Sequence, residues 1–176
     1  MSRLAPAACS AVLLLALALP AGAAAPVKGA TYQGRTAQGE QFNVRLRISS
    51  QGRLVQRTRI DWRVQDCERA RKGVRGTARF SSVRIRRGRF TRSSTHKSSL
   101  PAAGSFAGGT QVERYRLRGR FVTTRRARGT LRVTVSVLNR AGQQLDTCSL
   151  KRAIKWNAGL LGITEPGDED PYTLPR

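Results

Sequence analysis

The sequence is poor in acidic residues, histidine and cysteine, and each scarcity narrows the chemistry that the chain can perform. Its 176 residues include ten Asp or Glu, one His and three Cys. Structural zinc needs four ligands, so a single histidine (His96) with so few cysteines argues against a zinc site. Glycine-rich phosphate loops and nucleotide-binding fingerprints are missing as well. We therefore expect no cofactor and no bound metal.

Long apolar runs are also missing, apart from one near the N-terminus. Arg3 precedes this run, Pro20 ends it and small residues follow; its sequence is AVLLLALAL at residues 11–19. Such a run is too short to cross a bilayer, which takes about 20 residues. The pattern predicts a secretory signal peptide over residues 1–24, cleaved after Ala23 or Ala24. We expect a secreted or extracytoplasmic protein whose mature chain has no integral membrane span.

The cysteines predict one disulfide. Cys9 lies before the apolar run and should leave with the signal peptide. Cys67 and Cys148 then remain as an even pair, and an even pair in an oxidising compartment most simply forms one bond. We therefore predict the disulfide Cys67–Cys148.

Apolar and polar residues alternate repeatedly in the mature chain, which is the period-two signature of half-buried strands. Val44, Leu46 and Ile48, for example, alternate with polar residues, and no stretch keeps a helical period. Strands with one apolar face must close on themselves or stack in two layers. We predict an all-β fold of about eight or nine antiparallel strands, either a β-sandwich or a small closed β-barrel; the pattern leaves both open.

Composition divides the chain into three parts. After the signal peptide, residues 25–161 are expected to form a single all-β domain, and residues 162–176 an acidic, proline-containing tail without a fold of its own. Within the domain, Gln51-Gly52 and Arg87-Gly88 predict turns between neighbouring strands. Residues 92–109, which include His96, are expected to form a loop, and residues 69–77 to be irregular. In the last predicted strand, Cys148 and Trp156 share the inward face.

Several short motifs along the mature chain carry a resemblance. They are Tyr32-x-Gly34-x-Thr36-x-x-Gly39, Gly119-x-Phe121, Gly129-Thr130-Leu131-x-Val133, Cys148-x-Leu150 and Trp156. With these motifs the sequence resembles small, uncharacterised secreted all-β proteins of high-GC bacteria. The resemblance spans most of the mature chain and implies the all-β fold, but no activity and no binding residue.

Positive charge is what the sequence has in excess. Lys and Arg number 33, and the formal net charge is +23. Most of these residues fall at the outward positions of predicted strands. Guanidinium groups donate paired hydrogen bonds to phosphate, sulfate and carboxylate, so the surface could bind an extracellular polyanion: an anionic polysaccharide, a cell-envelope polymer or a nucleic acid. The alternative is a structural or protein-interaction domain whose charge is compositional and simply keeps it soluble.

Two groups of arginines are the candidate binding residues. The first is Arg114, Arg116, Arg118 and Arg120 with Arg126, Arg128 and Arg132 on the following strand, and the second is Arg84, Arg86, Arg87 and Arg89. Single-strand nucleic-acid binders interleave aromatic rings with basic residues. Tyr115 and Phe121 instead alternate with the arginines and are expected in the core.

Evidence for catalysis is weak. A nucleophile needs a base that is oriented by a third group on a rigid frame, whereas His96 lies among serines in a predicted loop. The acidic cluster 168–170 could hold calcium only weakly, and Asp61 is better explained by ion pairs with arginine. We expect a monomeric protein that binds and does not catalyse a reaction.

Overall fold

The computed structural model describes residues 23–69, 73–102 and 106–163, and within them the chain forms nine antiparallel strands. They are β1 (Ala30–Thr36), β2 (Gly39–Ile48), β3 (Leu54–Val64), β4 (Val74–Arg84), β5 (Arg89–Ser99), β6 (Thr110–Thr123), β7 (Arg126–Leu138), β8 (Gln144–Ser149) and β9 (Ile154–Ile163). The predicted all-β class and the strand number are confirmed.

Eight of these strands curve into a nearly closed barrel. They follow the order β4-β3-β2-β1-β9-β7-β6-β5. β7 pairs with β9 along its first half and with β8 along its second half. Between the described parts of β4 and β5, only the turn that joins them makes a bridge, from Arg86 to Arg89. The sheet is therefore a barrel with a seam between β4 and β5.

The inward faces of the strands fill the barrel with apolar side chains. Near the β4–β5 turn, the Phe121 ring lies 5.3 Å from that of Tyr32 and 5.7 Å from that of Phe90. Phe90 in turn lies 6.2 Å from Trp156. A second group further along the barrel consists of Trp62, Phe80 and Tyr115. All seven rings are buried, so the prediction that Tyr115 and Phe121 belong to the core is confirmed.

Three sequence-based expectations about local structure are wrong. The expected loop from residue 92 is a strand as far as Ser99, and His96 pairs with Glu113 on β6. The expected irregular region at residues 69–77 already belongs to β4 from Val74 onward. The last predicted strand is two strands, because the chain bends between Ser149 and Ile154.

The predicted disulfide is confirmed. Cys67 and Cys148 are bonded, stand directly opposite each other and have Cα atoms 3.9 Å apart. Two backbone hydrogen bonds flank them: Glu68 N–H donates to the Thr147 carbonyl at 3.1 Å, and Ser149 N–H donates to the Asp66 carbonyl at 3.0 Å. The bond thus ties the connection between β3 and β4 to β8.

The two ends of the described chain lie at the same end of the barrel. Ala24 N–H donates to the Phe121 carbonyl at 2.9 Å, and Ala30 pairs with Ile163. β9 therefore continues two residues past the expected domain boundary at 161. The signal peptide prediction up to residue 22 and the acidic tail from residue 164 lie outside the described residues. Within the described ranges, no helix has the length and apolar character needed to cross a membrane.

Candidate anion-binding site

The arginines of β6 point away from the barrel because their neighbours fill it. Tyr115 and Leu117 are buried on the inward face, so the residues between them must face outward. Arg114, Arg116 and Arg118 are exposed accordingly. Arg120, closer to the end of the strand, is half-buried.

Strand register brings these arginines together with those of the neighbouring strands. Arg120 stands directly opposite Arg89 on β5 and Arg128 on β7, and Arg116 stands opposite Arg132. Neighbouring strands are about 4.8 Å apart, so these residues form continuous rows across the sheet. The row through Arg120 joins the two groups that the sequence suggested. We call the outer surface of β5–β7 the arginine face, defined by Arg89, Arg114, Arg116, Arg118, Arg120, Arg126, Arg128 and Arg132.

The arginine face contains no acidic residue. Residues 89–138 hold eleven Lys or Arg and a single acid, Glu113. Glu113 lies on the inner side of the sheet, where its carboxylate accepts hydrogen bonds from the Tyr115 hydroxyl and from Gln111 Nε2, the latter at 2.7 Å. Burial, and then the contact with Glu113, raise the pKa of the Tyr115 phenol above its usual 10.0. The one acidic residue of these strands therefore bonds on the inner side of the sheet and does not lie on the arginine face.

Hydroxyl groups lie between the arginines. Arg114 stands opposite Thr95 and Thr134, and Arg118 stands opposite Thr91 and Thr130. Since opposite residues in an antiparallel pair share a face, each of these arginines is flanked by hydroxyls on both sides. The aromatic residues of β5–β7 are Phe90, Tyr115 and Phe121, and all three are buried. The face therefore offers guanidinium and hydroxyl groups but no ring.

A groove opens at the edge of the arginine face, where β4 and β5 separate beyond their turn. Its volume is about 400 Å³. Its lining residues are Ser82, Val83, Arg84, Arg86, Arg89, Phe90, Thr91 and Arg92. Val83 and Phe90 are buried, whereas the four arginines are exposed. The groove thus combines a small apolar floor with four guanidinium-bearing residues.

Most of the second predicted arginine group lines this groove, but one member does not. Arg84, Arg86 and Arg89 contribute to it, whereas Arg87 is exposed in the turn itself and is not among the lining residues. Arg92 also lines the groove, although the sequence pattern placed residues 92–109 in a loop. The alternation of Phe90 with Arg89 and Thr91 is the signal that the strand continues toward Arg92.

The backbone beside the groove is held in an unusual conformation. Arg87 and Gly88 have φ angles of 48° and 68°, the left-handed pair that a two-residue hairpin turn requires. Arg86 N–H donates to the Arg89 carbonyl at 2.8 Å, and Arg89 N–H donates back at 2.9 Å. In a chain that retains Ala24, position 88 needs glycine also for space, because a Cβ there would lie 2.4 Å from the Ala24 carbonyl oxygen. In such a chain the turn therefore lies directly against the N-terminal segment.

On the β4 side, Ser82 also has a left-handed φ of 53°. Left-handed backbone is uncommon outside glycine and points to local constraint. Here it interrupts the strict alternation, so that Phe80 and Val83, three residues apart, are both buried. Arg84 consequently faces outward at the groove.

Arginines also cover the opposite wall of the barrel, but there they have acidic neighbours. Arg59 stands between Arg45 and Arg79 in a second row. Its Nε lies 3.5 Å from Asp61 Oδ1, an ion pair of the kind that the sequence suggested. Basic residues therefore surround the barrel, and of its two walls the β5–β7 wall is the one without acidic side chains on its outer surface among the described residues.

Other reactive groups are few in the described part of the chain. His96 is exposed on β5, with Ser94 and Ser98 at alternate positions beside it. One cluster of possible metal ligands occurs within the described ranges, with ligand atoms of Cys67, Asp146 and Cys148 inside 4.8 Å of one another. Its two sulfurs are bonded to each other and so are not available as thiolate ligands.

Comparison with protein-family models, curated proteins and solved structures finds no match to this chain.

Proposed function

We propose that this chain is an exported binding domain whose arginine face engages an extracellular polyanion, of the class of acidic polysaccharides or anionic cell-envelope polymers. The observation that carries the proposal is the row Arg89–Arg120–Arg128, joined by the pair Arg116–Arg132, on a face without acidic residues. Export is supported by the N-terminal pattern, and the Cys67–Cys148 bond is compatible with it.

A bound polyanion would reduce the repulsion between arginines that destabilises the free protein. Like charges directly opposite each other on neighbouring strands destabilise a sheet. Anionic groups placed between the rows would turn this repulsion into charge-assisted hydrogen bonds, and the planar guanidinium can donate two of them to one phosphate, sulfate or carboxylate. The rows repeat about every 6.8 Å along a strand and about every 4.8 Å across strands, so a polymer could meet several of them at once.

The side chains around the arginines favour an acidic polysaccharide over single-stranded nucleic acid. Proteins that bind single strands stack the bases on aromatic rings, and such stacking contributes about 1–3 kcal/mol per base. The rings of β5–β7 are buried. The exposed partners of the arginines are instead hydroxyls such as Thr91 and Thr95, which can hydrogen-bond to sugar hydroxyls and to acidic groups.

Paired variants test the proposal by titration of heparin, as a model acidic polysaccharide, at several salt concentrations. Arg116→Ser/Arg132→Ser removes two charges from the arginine face. The matched control, Arg57→Ser/Arg63→Ser, removes two exposed charges from β3 on the opposite wall. We expect saturable binding that the first variant weakens about tenfold or more, with the salt slope reduced by about 0.7–0.9 for each arginine–anion pair removed.

Equal weakening by the two variants would contradict the proposal and support the alternative that the charge is compositional. A single-stranded DNA of the same charge provides the second comparison. If it binds more tightly than heparin under the same conditions, the assignment to polysaccharides is wrong.

A further inference from the structure

The groove at the β4–β5 seam differs from the arginine face in shape, although Arg89 belongs to both. The arginine face is a set of rows across one sheet surface, whereas the groove is a cleft lined by Arg84 and Arg86 on the β4 side of the turn and by Arg89 and Arg92 on its β5 side. Val83 and Phe90 form a buried apolar floor. Such a concave site suits a compact group with more than one negative charge, because several donors can reach the same group.

The groove is also preorganised. Paired hydrogen bonds of 2.8 and 2.9 Å between Arg86 and Arg89 fix the distance between its two sides. Ile85 N–H donates to the Arg53 carbonyl at 2.9 Å, which anchors the β4 side to the start of β3. On the β5 side, Phe121 N–H donates to the Gly88 carbonyl at 2.9 Å. Little backbone ordering is then needed when an anion binds, which favours affinity.

We infer that this groove is a subsite for a phosphate monoester at the end of the polyanion that the arginine face binds, an inference that rests on the proposed function. A phosphate monoester carries a charge of about −1.5 to −2 at neutral pH, whereas an internal phosphodiester or a sulfate ester carries one negative charge. Four arginines that line one groove therefore favour a chain end over the interior of a chain. Ser82 and Thr91 supply hydroxyls at the same groove.

Two small probes separate a chain end from internal phosphates. Inorganic tripolyphosphate has terminal phosphates, and cyclic trimetaphosphate has none. By calorimetry on the mature protein near physiological salt, we expect one tripolyphosphate site per chain, with an affinity at least tenfold above that for trimetaphosphate. Tripolyphosphate binding should strengthen as pH rises through about 6, where a terminal phosphate gains its second charge while arginine stays charged.

Variants then assign the binding to the groove. Arg84→Ser/Arg92→Ser should reduce tripolyphosphate affinity tenfold or more, and Arg57→Ser/Arg63→Ser, which removes the same charge from β3, should change it by no more than about twofold. Both sets of positions are exposed, so neither variant should impair folding. Equal binding of the two probes, or equal weakening by the two variants, would overturn the inference.

The heparin titration separates a failure of the end-group subsite from a failure of polyanion binding by the arginine face. If heparin binds through Arg116 and Arg132 but tripolyphosphate shows no preference, the end-group subsite is wrong and the polyanion proposal stands. If heparin binding is insensitive to the arginine face, the proposal itself fails, and tripolyphosphate binding would then describe an isolated anion site.

Discussion

Removing the central charge of an arginine row should make the fold more stable. Arg120 stands between Arg89 and Arg128, so Arg120→Gln relieves two repulsions while it keeps a polar side chain of similar shape. At a separation of about 6 Å and a water-like dielectric, each repulsion costs about 0.7 kcal/mol. A Debye length of about 10 Å at 0.1 M salt reduces it by roughly half. We expect a gain of about 0.7 kcal/mol in the free energy of unfolding, measured by urea denaturation at 0.1 M salt.

Salt dependence and a control make this prediction specific. In 1 M salt, where the Debye length is about 3 Å, the gain should fall to about 0.2 kcal/mol or less. Arg53→Gln provides the control, because it removes the same charge from the exposed turn between β2 and β3, outside the arginine rows, and leaves the hydrogen bond from Ile85 N–H to its backbone carbonyl unaffected. A loss of stability in Arg120→Gln, a gain unaffected by salt, or an equal gain in Arg53→Gln would refute the argument. Heparin affinity should fall in Arg120→Gln, so the same charge would oppose folding and promote binding.

Three further outcomes follow from the fold. Replacing Cys67 and Cys148 together by alanine should lower the free energy of unfolding in urea by about 4.5 kcal/mol, because the bond closes a loop with a sequence separation of 81; a decrease below about 1 kcal/mol would contradict this. In a chain that retains Ala24, Gly88→Ala should lower the thermal midpoint more than Gly142→Ala does, since both have positive φ but only at Gly88 does the added Cβ meet backbone, 2.4 Å from the Ala24 carbonyl oxygen. The raised pKa of Tyr115 implies stability that is complete below pH 10 and is lost as pH rises above it; urea titrations from about pH 8 to pH 11 should show this decline, and Tyr115→Phe should reduce it.

Alternating hydrophobicity predicts most strands of this fold because most strands face the core. Wherever every second side chain is buried, as in Val44, Leu46 and Ile48 on β2, the pattern is strong. The choice between sandwich and barrel depends on strand twist and on long-range pairing, which a local pattern does not encode. The sequence therefore shows which face of each half-buried strand is apolar, but it does not show which strands pair with one another.

From Arg92 onward, the sequence does not predict β5, and the reason is physical. Beyond Phe90, its inward positions face the seam instead of a partner wall, so Ser94 and Ser98 can stand where other strands carry valine or leucine. Burial does not favour apolar residues there, and the sequence resembles a loop. For the same reason, the sequence does not predict that Arg92 lies at the groove. The arginine groups are recognisable from outward positions alone, but their joining into one face requires the register of Arg89 with Arg120.

The incomplete closure of the barrel has a consequence for association between copies of the chain. Along the described seam, β4 and β5 each present a strand edge that can template pairing with a foreign strand, the route by which sheets aggregate. Both edge strands carry exposed charged side chains: Arg75 and Arg79 on β4, and Lys97 on β5. Two such edges repel each other at neutral pH. The positive charge of these edges therefore opposes strand pairing between two copies of the chain, as long as that charge is not neutralised.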